Sequence, residues 1–294
     1  MKTVASIGGE MPVDLLGATG RYAGPVGWNI DRATPVADQW IESRFAPWVR
    51  SVIEDWAAGA LDAHSHIVFS RGDDNAQRLY YYVCELTRQG LIAGPEPLIF
   101  DVAKIGRATS LARTVKGVRR LAGQLGLVDA ALEAGIVGTN STRGLPATGR
   151  GGKRALLAGT LPPDDRLHMA ITQSGWIAVG DTLGENWADP GPVVAEAGGD
   201  PAAAIAAQVY ARATGPRAFF DRAGGLVEQA RACGASAVIL WLIEEEEGLV
   251  WHVPAQRRAL EAAGIAHLVL TRRDWAARDG AGDEIEAFLK GLDV

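Results

Sequence analysis

Asp73 and Asp74 stand side by side in RGDDN, residues 71–75, directly behind an apolar run. Two carboxylates in that place can ligate a hard cation or position a general acid. They serve equally well as the cap and first-turn charge of a following helix, and capping requires nothing else from the chain. DTLGENW, residues 181–187, joins Asp181, Thr182 and Glu185 to Trp187: polar groups and an aromatic plate that would orient an acyl or thioester head group. Gly184 between them would serve a tight turn. Four consecutive glutamates, Glu244–Glu247, follow the most apolar run of the chain. They repel one another, so most must face water, and at most one or two can enter a cleft for acid–base work. His252 is the best-placed neutral base, although a lone histidine beside a tryptophan more often packs or caps. The catalytic candidates are therefore Asp73, Glu244 and His252. Those for substrate binding are Arg71, Gly159, Thr160, Asp181, Thr182, Glu185 and Trp187.

Sulfur ligands are scarce. Cys84 and Cys233 are the two cysteines of the chain, 233 − 84 = 149 residues apart, each in an apolar helical setting. An iron–sulfur cluster held by this chain alone needs three or four thiolates, and an all-cysteine structural zinc needs four. Both cysteines read as packed thiols. No histidine and cysteine pattern has zinc spacing, and His64 and His66 share one strand face in a region without other ligands. No GxSxG elbow, P-loop or GxGxxG is present, so no dinucleotide fingerprint exists.

The elements that must position these groups follow from composition and pattern. With 294 residues, 48% apolar and 22% charged, the chain has material for two compact domains. A net charge of −6 without a basic block speaks against nucleic acid as principal partner. No apolar run reaches about 18 residues, so no membrane span is expected. MKTVASIGGEMP turns polar before a secretory core can form, which points to a cytoplasmic protein. Nine tryptophans suggest a covered interface or pocket.

Along the chain, a short glycine-punctuated segment precedes a long helix over residues 36–60, with Trp40, Ile41, Val49, Ile53 and Trp56 near helical spacing. Strands are expected at 66–70 and 97–101, helices at 77–88 and around Leu111–Leu121. Residues 138–152, GTNSTRGLPATGRGG, read as a linker or junction loop. The pattern then restarts: strands at 154–158, 176–180, 237–242 and 267–270, with helices opened by Pro162 and Pro163, and at 202–212, 219–233, 254–263 and 283–289. The result is an α/β chain of two doubly wound, flavodoxin- or Rossmann-like domains with parallel sheets, residues 1–145 and 146–294. Ligands meet such sheets at the carboxyl ends of strands, which selects the loops 71–75, 159–165, 181–187 and 244–252.

Several segments, taken in their order along the chain, carry a family likeness: GEMPVDLLGATGRYAGPVGW, FAPWVRSVIEDWAAGALD, HIVFSRGDDNAQRLYYYVCELTRQG, RALLAGTLPPDDRLHMAITQSGWIAVGDTLGENW and SAVILWLIEEEEGLVWHVPAQRRALEAAGIAHLVLTR. The chain resembles the 2-hydroxyacyl-CoA dehydratase / benzoyl-CoA reductase family, in its smaller, D-component-like subunits. The resemblance implies two flavodoxin-like domains per subunit, association with a related subunit and an acyl-CoA thioester substrate. It also implies a [4Fe–4S] cluster between the family's two domains, held by three cysteines and charged by an ATP-driven activator. This chain departs from that pattern at the ligands. The expected cysteines fall at Phe45 or Ala46, at Gly72, and among Glu244–Glu247. Carboxylates substitute poorly for thiolates around such clusters.

Three functions follow from the resemblance. The first is a cluster-free subunit, with no cofactor of its own, that shapes an acyl-CoA site for a partner carrying the [4Fe–4S] cluster. The second is a repurposed iron-free enzyme acting on an acyl thioester through Glu244, His252 or Asp73. The third is an active dehydratase with non-standard cluster ligation. A related subunit, or a second copy of the chain, is the expected partner.

Overall fold

The computed structural model describes residues 1–42, 44–103, 105–143, 151–212 and 220–292. The elements run β1 (Thr3–Ile7), α1 (Val13–Gly17), β2 (Tyr22–Pro25), α2 (Pro47–Ala57), β3 (His64–Ser70), α3 (Asp74–Arg88), β4 (Glu96–Phe100), α4 (Ser110–Gln124) and α5 (Asp129–Thr142). They continue as β5 (Arg154–Gly159), α6 (Arg166–Gln173), β6 (Ile177–Val179), α7 (Leu183–Ala188), α8 (Pro201–Ala211), α9 (Arg222–Ala232), β7 (Ala237–Ile243), α10 (Glu247–Val250), α11 (Val253–Ala262), β8 (Ala266–Arg273) and α12 (Ala281–Gly291).

Two four-stranded sheets result, β2-β1-β3-β4 and β6-β5-β7-β8, with every pairing parallel. Both have the flavodoxin-like order, in which the chain steps from its first strand to one side, then crosses back to the other. The chain is thus an α/β protein of two doubly wound units. Each has its own switch point, between β1 and β3 in the first and between β5 and β7 in the second.

The first unit comprises Met1–Pro146 and Trp187–Phe219. Val4, Val68, Leu98 and Phe100 on one face of its sheet pack with Leu15 and Leu16 of α1, Val118 and Leu121 of α4, Ile136 of α5, and Ile205 and Val209 of α8. Alternate strand residues, Ile7, Ile67 and Phe69, are fully buried on the opposite face, where Trp56 of α2 stacks on Phe69. The return of residues 187–219 to this unit has a plain cause. Ala202, Ile205, Ala206 and Val209 give α8 an apolar face that packs on α4 and α5.

The second unit comprises Ala147–Asn186 and Phe220–Val294. All seven residues of β7 are buried. Leu156, Val238, Leu240 and Leu242 pack on Leu226, Val227 and Ala230 of α9 and on Val253 and Leu260 of α11. Ile239 and Trp241, pointing the other way, are also fully buried, and α6 packs on α12.

Several local expectations need correction. The helix over 36–60 is interrupted: a short turn of 3-10 helix at Ala37–Gln39 is followed by irregular chain, and α2 begins only at Pro47. Proline pushes the preceding residue out of the helical region, and Ala46 indeed has φ −54° and ψ 141°. The glycine-punctuated start contains β1, α1 and β2. Residues 138–142 of the expected linker are the last residues of α5, and 144–150 lie outside the described residues. Pro162 and Pro163 precede α6 without opening it, since Asp165 is its N-cap. The helix expected over 219–233 runs Arg222–Ala232, with position 219 outside the described residues.

Candidate functional site

A glycine ends the first strand at each switch point. Gly8, just past β1, has φ +99°, and a Cβ there would stand 2.6 Å from Ser70 Cβ and 3.2 Å from Ala76 Cβ. It allows the ends of β1 and β3 and the start of α3 to close together. Gly159, at the end of β5, has φ +103°, and a Cβ would stand 2.4 Å from the Trp241 carbonyl oxygen. Each glycine opens a loop containing proline, GGEMP and GTLPP. The loop after β1 was not among those singled out above, although an apolar run ending in Gly8-Gly9 is a legible signal.

In the first unit, Asp73 is the N-cap of α3, its Oδ1 accepting the Ala76 N–H at 2.9 Å. Burial pushes its carboxyl pKa up; the Ala76 and Asn75 amides pull it down less strongly, and Asp74 adds to the rise. Asp73 is therefore both a cap and a carboxyl with a proton held above the ordinary range. Arg71 donates to Asp101 Oδ2 at 2.8 Å, and its N–H donates to the Phe100 carbonyl at 2.9 Å, tying the loops after β3 and β4 together. The segment 44–46 joins the same loop: Ala46 N–H donates to Asn75 Oδ1 at 3.2 Å. Phe45 is buried against Tyr82, with ring centroids 5.2 Å apart, and the Arg78 guanidinium lies 4.0 Å from its ring centre.

In the second unit, Thr160 is a clasp. Its N–H donates to the Trp241 carbonyl at 2.8 Å, and its Oγ1 accepts from Ile243 N–H at 3.4 Å. Thr182 and Glu185 form a capping box: Glu185 Oε2 accepts from both the Thr182 N–H and its hydroxyl at 2.8 Å, and Glu185 N–H returns a bond at 3.3 Å. These bonds hold the Glu185 carboxyl below its usual range, against partial desolvation and with help from His168. His168, which the sequence reading passed over, bonds through Nε2 to the Gly180 carbonyl at 2.8 Å, while its Nδ1 is buried without a partner. Asp181 is exposed at the carboxyl end of β6.

Trp187 does not form a plate beside Asp181, Thr182 and Glu185. It is 2% exposed in the core of the first unit, at 4.7 Å from Trp28 and 4.9 Å from Trp48 between ring centres. The large apolar area of the indole, carried near the end of α7, is what that core buries. Glu244 is exposed and paired with Arg272 at 2.9 Å. Glu246 is the half-buried member of the acidic run, electrostatically coupled to Arg222, whose guanidinium lies 4.4 Å from the Phe220 ring centre. His252 is the N-cap of α11, its carbonyl accepting from the Ala255 and Gln256 amides. Glu244 and His252 thus lie in the second unit and Asp73 in the first.

The donor set does not fit a [4Fe–4S] cluster. The three implied ligand positions carry a buried aromatic or alanine, a glycine, and exposed or half-buried carboxylates. Cys84 lies within α3 and is hydrogen-bonded to Tyr80; burial raises its pKa, which disfavours thiolate. Cys233 caps α9, its thiol donating to the Ala230 carbonyl at 3.3 Å. Among the described residues no group of three or more His, Cys, Asp or Glu side chains is arranged to hold a metal ion. Among them too, no single helix is long and apolar enough to cross a membrane.

No protein-family model and no curated protein matches the chain. Among solved structures it is similar to a periplasmic heme-binding protein, BhuT, in complex with two hemes, at 13% identity over 99% of this chain and 96% of that one, with a TM-score of 0.26. So loose a superposition carries no argument about this chain's ligands.

Proposed function

We propose that the chain is a cluster-free subunit of the 2-hydroxyacyl-CoA dehydratase / benzoyl-CoA reductase type, shaping an acyl-CoA site for a related, cluster-bearing partner subunit. The observation that carries this reading is the hydrogen bond from Ala46 N–H to Asn75 Oδ1. It joins two segments, 45–46 and 72–75, that the resemblance independently marks as sharing a ligand set and that lie about thirty positions apart in sequence. Further support comes from where the family-like segments fall: RGDDN, GTLPP and EEEE each follow a switch-point strand, β3, β5 and β7. The loops are kept while their thiolates are not. Two unpaired cysteines suit a reducing, cytoplasmic compartment.

The raised pKa of Asp73 favours a second reading, an iron-free enzyme in which Asp73 is a general acid toward an acyl thioester. The test that separates the two is anaerobic purification of the chain alone, followed by exposure to 2-hydroxyacyl-CoA thioesters. Saturable thioester binding by colourless protein without turnover is expected. Turnover by iron-free protein, abolished in Asp73→Asn, replaces the first reading with the second. Stoichiometric iron and sulfide on the lone chain overturns both.

A further inference from the structure

The end of β4 and one face of α4 enclose a surface cavity of about 200 Å³ in the first unit, lined by Asp101, Arg113, Lys116, Gly117 and Arg120. Arg113, Lys116 and Arg120 recur at i, i+3 and i+7, so the helix presents them on one side. Asp101, the residue after β4, closes the cavity, and its Oδ2 accepts from Arg113 at 3.1 Å and from Arg71 at 2.8 Å. Asp101 is thus paired with two arginines, and Lys116 and Arg120 add two further cations to the lining, in a chain whose net charge is −6. Among the described residues, no second carboxylate lines the cavity. Gly117 favours this close approach: a Cβ there would stand 3.2 Å from the Asp101 carbonyl oxygen, so a larger residue would require α4 or the end of β4 to give by a few tenths of an ångström. The cavity lies by the carboxyl end of β4, the edge strand of the sheet, on the side of the sheet where open α/β proteins receive ligands.

We propose that this cavity binds a phosphate-bearing small molecule. Its excess positive charge selects a multiply charged anion, and guanidinium groups bond phosphate oxygens in pairs. Its volume falls below the roughly 300–1,000 Å³ of pockets that take a whole drug-sized ligand, which fits a phosphorylated head group held at the surface. Nucleic acid is the poorer match, because the cations are gathered at one cavity and the chain as a whole is acidic. The site does not rest on the acyl-thioester reading: a phosphate ligand could be the nucleotide end of coenzyme A or an unrelated phosphate ester.

Calorimetric titration of the full chain with inorganic pyrophosphate tests the proposal. Saturable one-to-one binding that weakens with added salt is expected. It should weaken at least tenfold in Lys116→Gln/Arg120→Gln and stay unchanged in Arg88→Gln, which removes an exposed arginine paired with Glu85 on α3. Both replaced residues are exposed, and thermal unfolding of the variants checks that the fold is kept. Competition between coenzyme A and pyrophosphate assigns the site to the coenzyme; pyrophosphate binding without competition assigns it to a separate phosphate ligand. No saturable pyrophosphate binding, or equal binding by all variants, overturns the site. Coenzyme A that binds undiminished in the double variant, alongside no pyrophosphate binding, overturns it while leaving the acyl-thioester reading intact.

Discussion

Replacing Arg143 by methionine should destabilise the first unit by about 4–5 kcal/mol. Arg143 and Asp14 are 129 residues apart in sequence and form a two-pronged pair, Nη1 to Oδ1 at 2.9 Å and Nη2 to Oδ2 at 2.7 Å. Their side chains are 5% and 1% exposed. The guanidinium also donates to the carbonyls of Gly191 at 2.9 Å and Pro190 at 3.0 Å and bonds Asn140 Oδ1, so it fastens the returning segment to α1 and α5. Methionine keeps the length and removes every donor. Breaking a buried pair from one side costs about 3–5 kcal/mol, because the partner charge is left without compensation. Two carbonyls losing a charged donor, at about 1 kcal/mol each, place the variant in the upper part of that range. Asp14→Leu combined with Arg143→Met removes both charges and should cost only about 1–2 kcal/mol, the share of the two carbonyls. Urea unfolding of the four proteins in a double-mutant cycle reads the coupling directly. A loss under about 1 kcal/mol in Arg143→Met, or a double variant as unstable as the sum of the singles, would refute the reasoning.

Three further outcomes are expected. Gly159→Ala should destabilise by at least about 3 kcal/mol, since the new Cβ meets the Trp241 carbonyl at 2.4 Å; Gly20→Ala, at φ +64° with nothing within 4 Å, should cost only about 1–2 kcal/mol of backbone strain, and denaturation midpoints compare them. The carboxyl of Asp73 has a raised folded pKa, so the native state holds more protons than the unfolded one as pH rises from the unfolded value near 3.8, and stability falls through that window. Asp73→Asn keeps a good cap and should therefore gain on the wild type between acidic and neutral pH; a difference in unfolding midpoint that is flat with pH would contradict this. Glu185 has the opposite sign, its folded pKa held below its ordinary value by the Thr182 bonds, so its capping contribution is complete at neutral pH and fades as pH falls through the folded value. Glu185→Gln should flatten that acid limb, read in the same titration.

Strands with a continuous apolar run and a polar loop behind them, β3 and β7, were legible because burial on both faces of a parallel sheet leaves no alternation to misread. The break before α2 was legible too, in Pro47, but apolar spacing across 40–56 masks it when proline is not weighed first. The last residues of α5, 138–142, read as part of a linker because glycine, serine and threonine there lower the helical signal. Gly135 exists for packing: a Cβ there would stand 2.4 Å from the Asp14 carbonyl oxygen. Asp73 was read as a cap from sequence because capping is a local grammar of three or four residues; Thr182 and Glu185 were singled out there for substrate binding, and their hydrogen bonds to each other make a capping box instead. The packing of Trp187 on Trp28 and Trp48 and the Arg143–Asp14 pair were not legible, because both depend on partners brought from more than a hundred residues away. The three cations of α4 stand at helical spacing but were not singled out from sequence, and their meeting with Asp101 depends on how closely α4 seats on β4.

The central claim, a family-like subunit that has kept its loops and lost its redox centre, is tested most directly by anaerobic co-purification from the native host, with iron, acid-labile sulfide and partner identity read from the same sample. The account predicts a related three-cysteine subunit carrying all the iron, with none on this chain. Iron and sulfide retained by this chain after separation, or a lone colourless protein that turns over acyl-CoA, would contradict it.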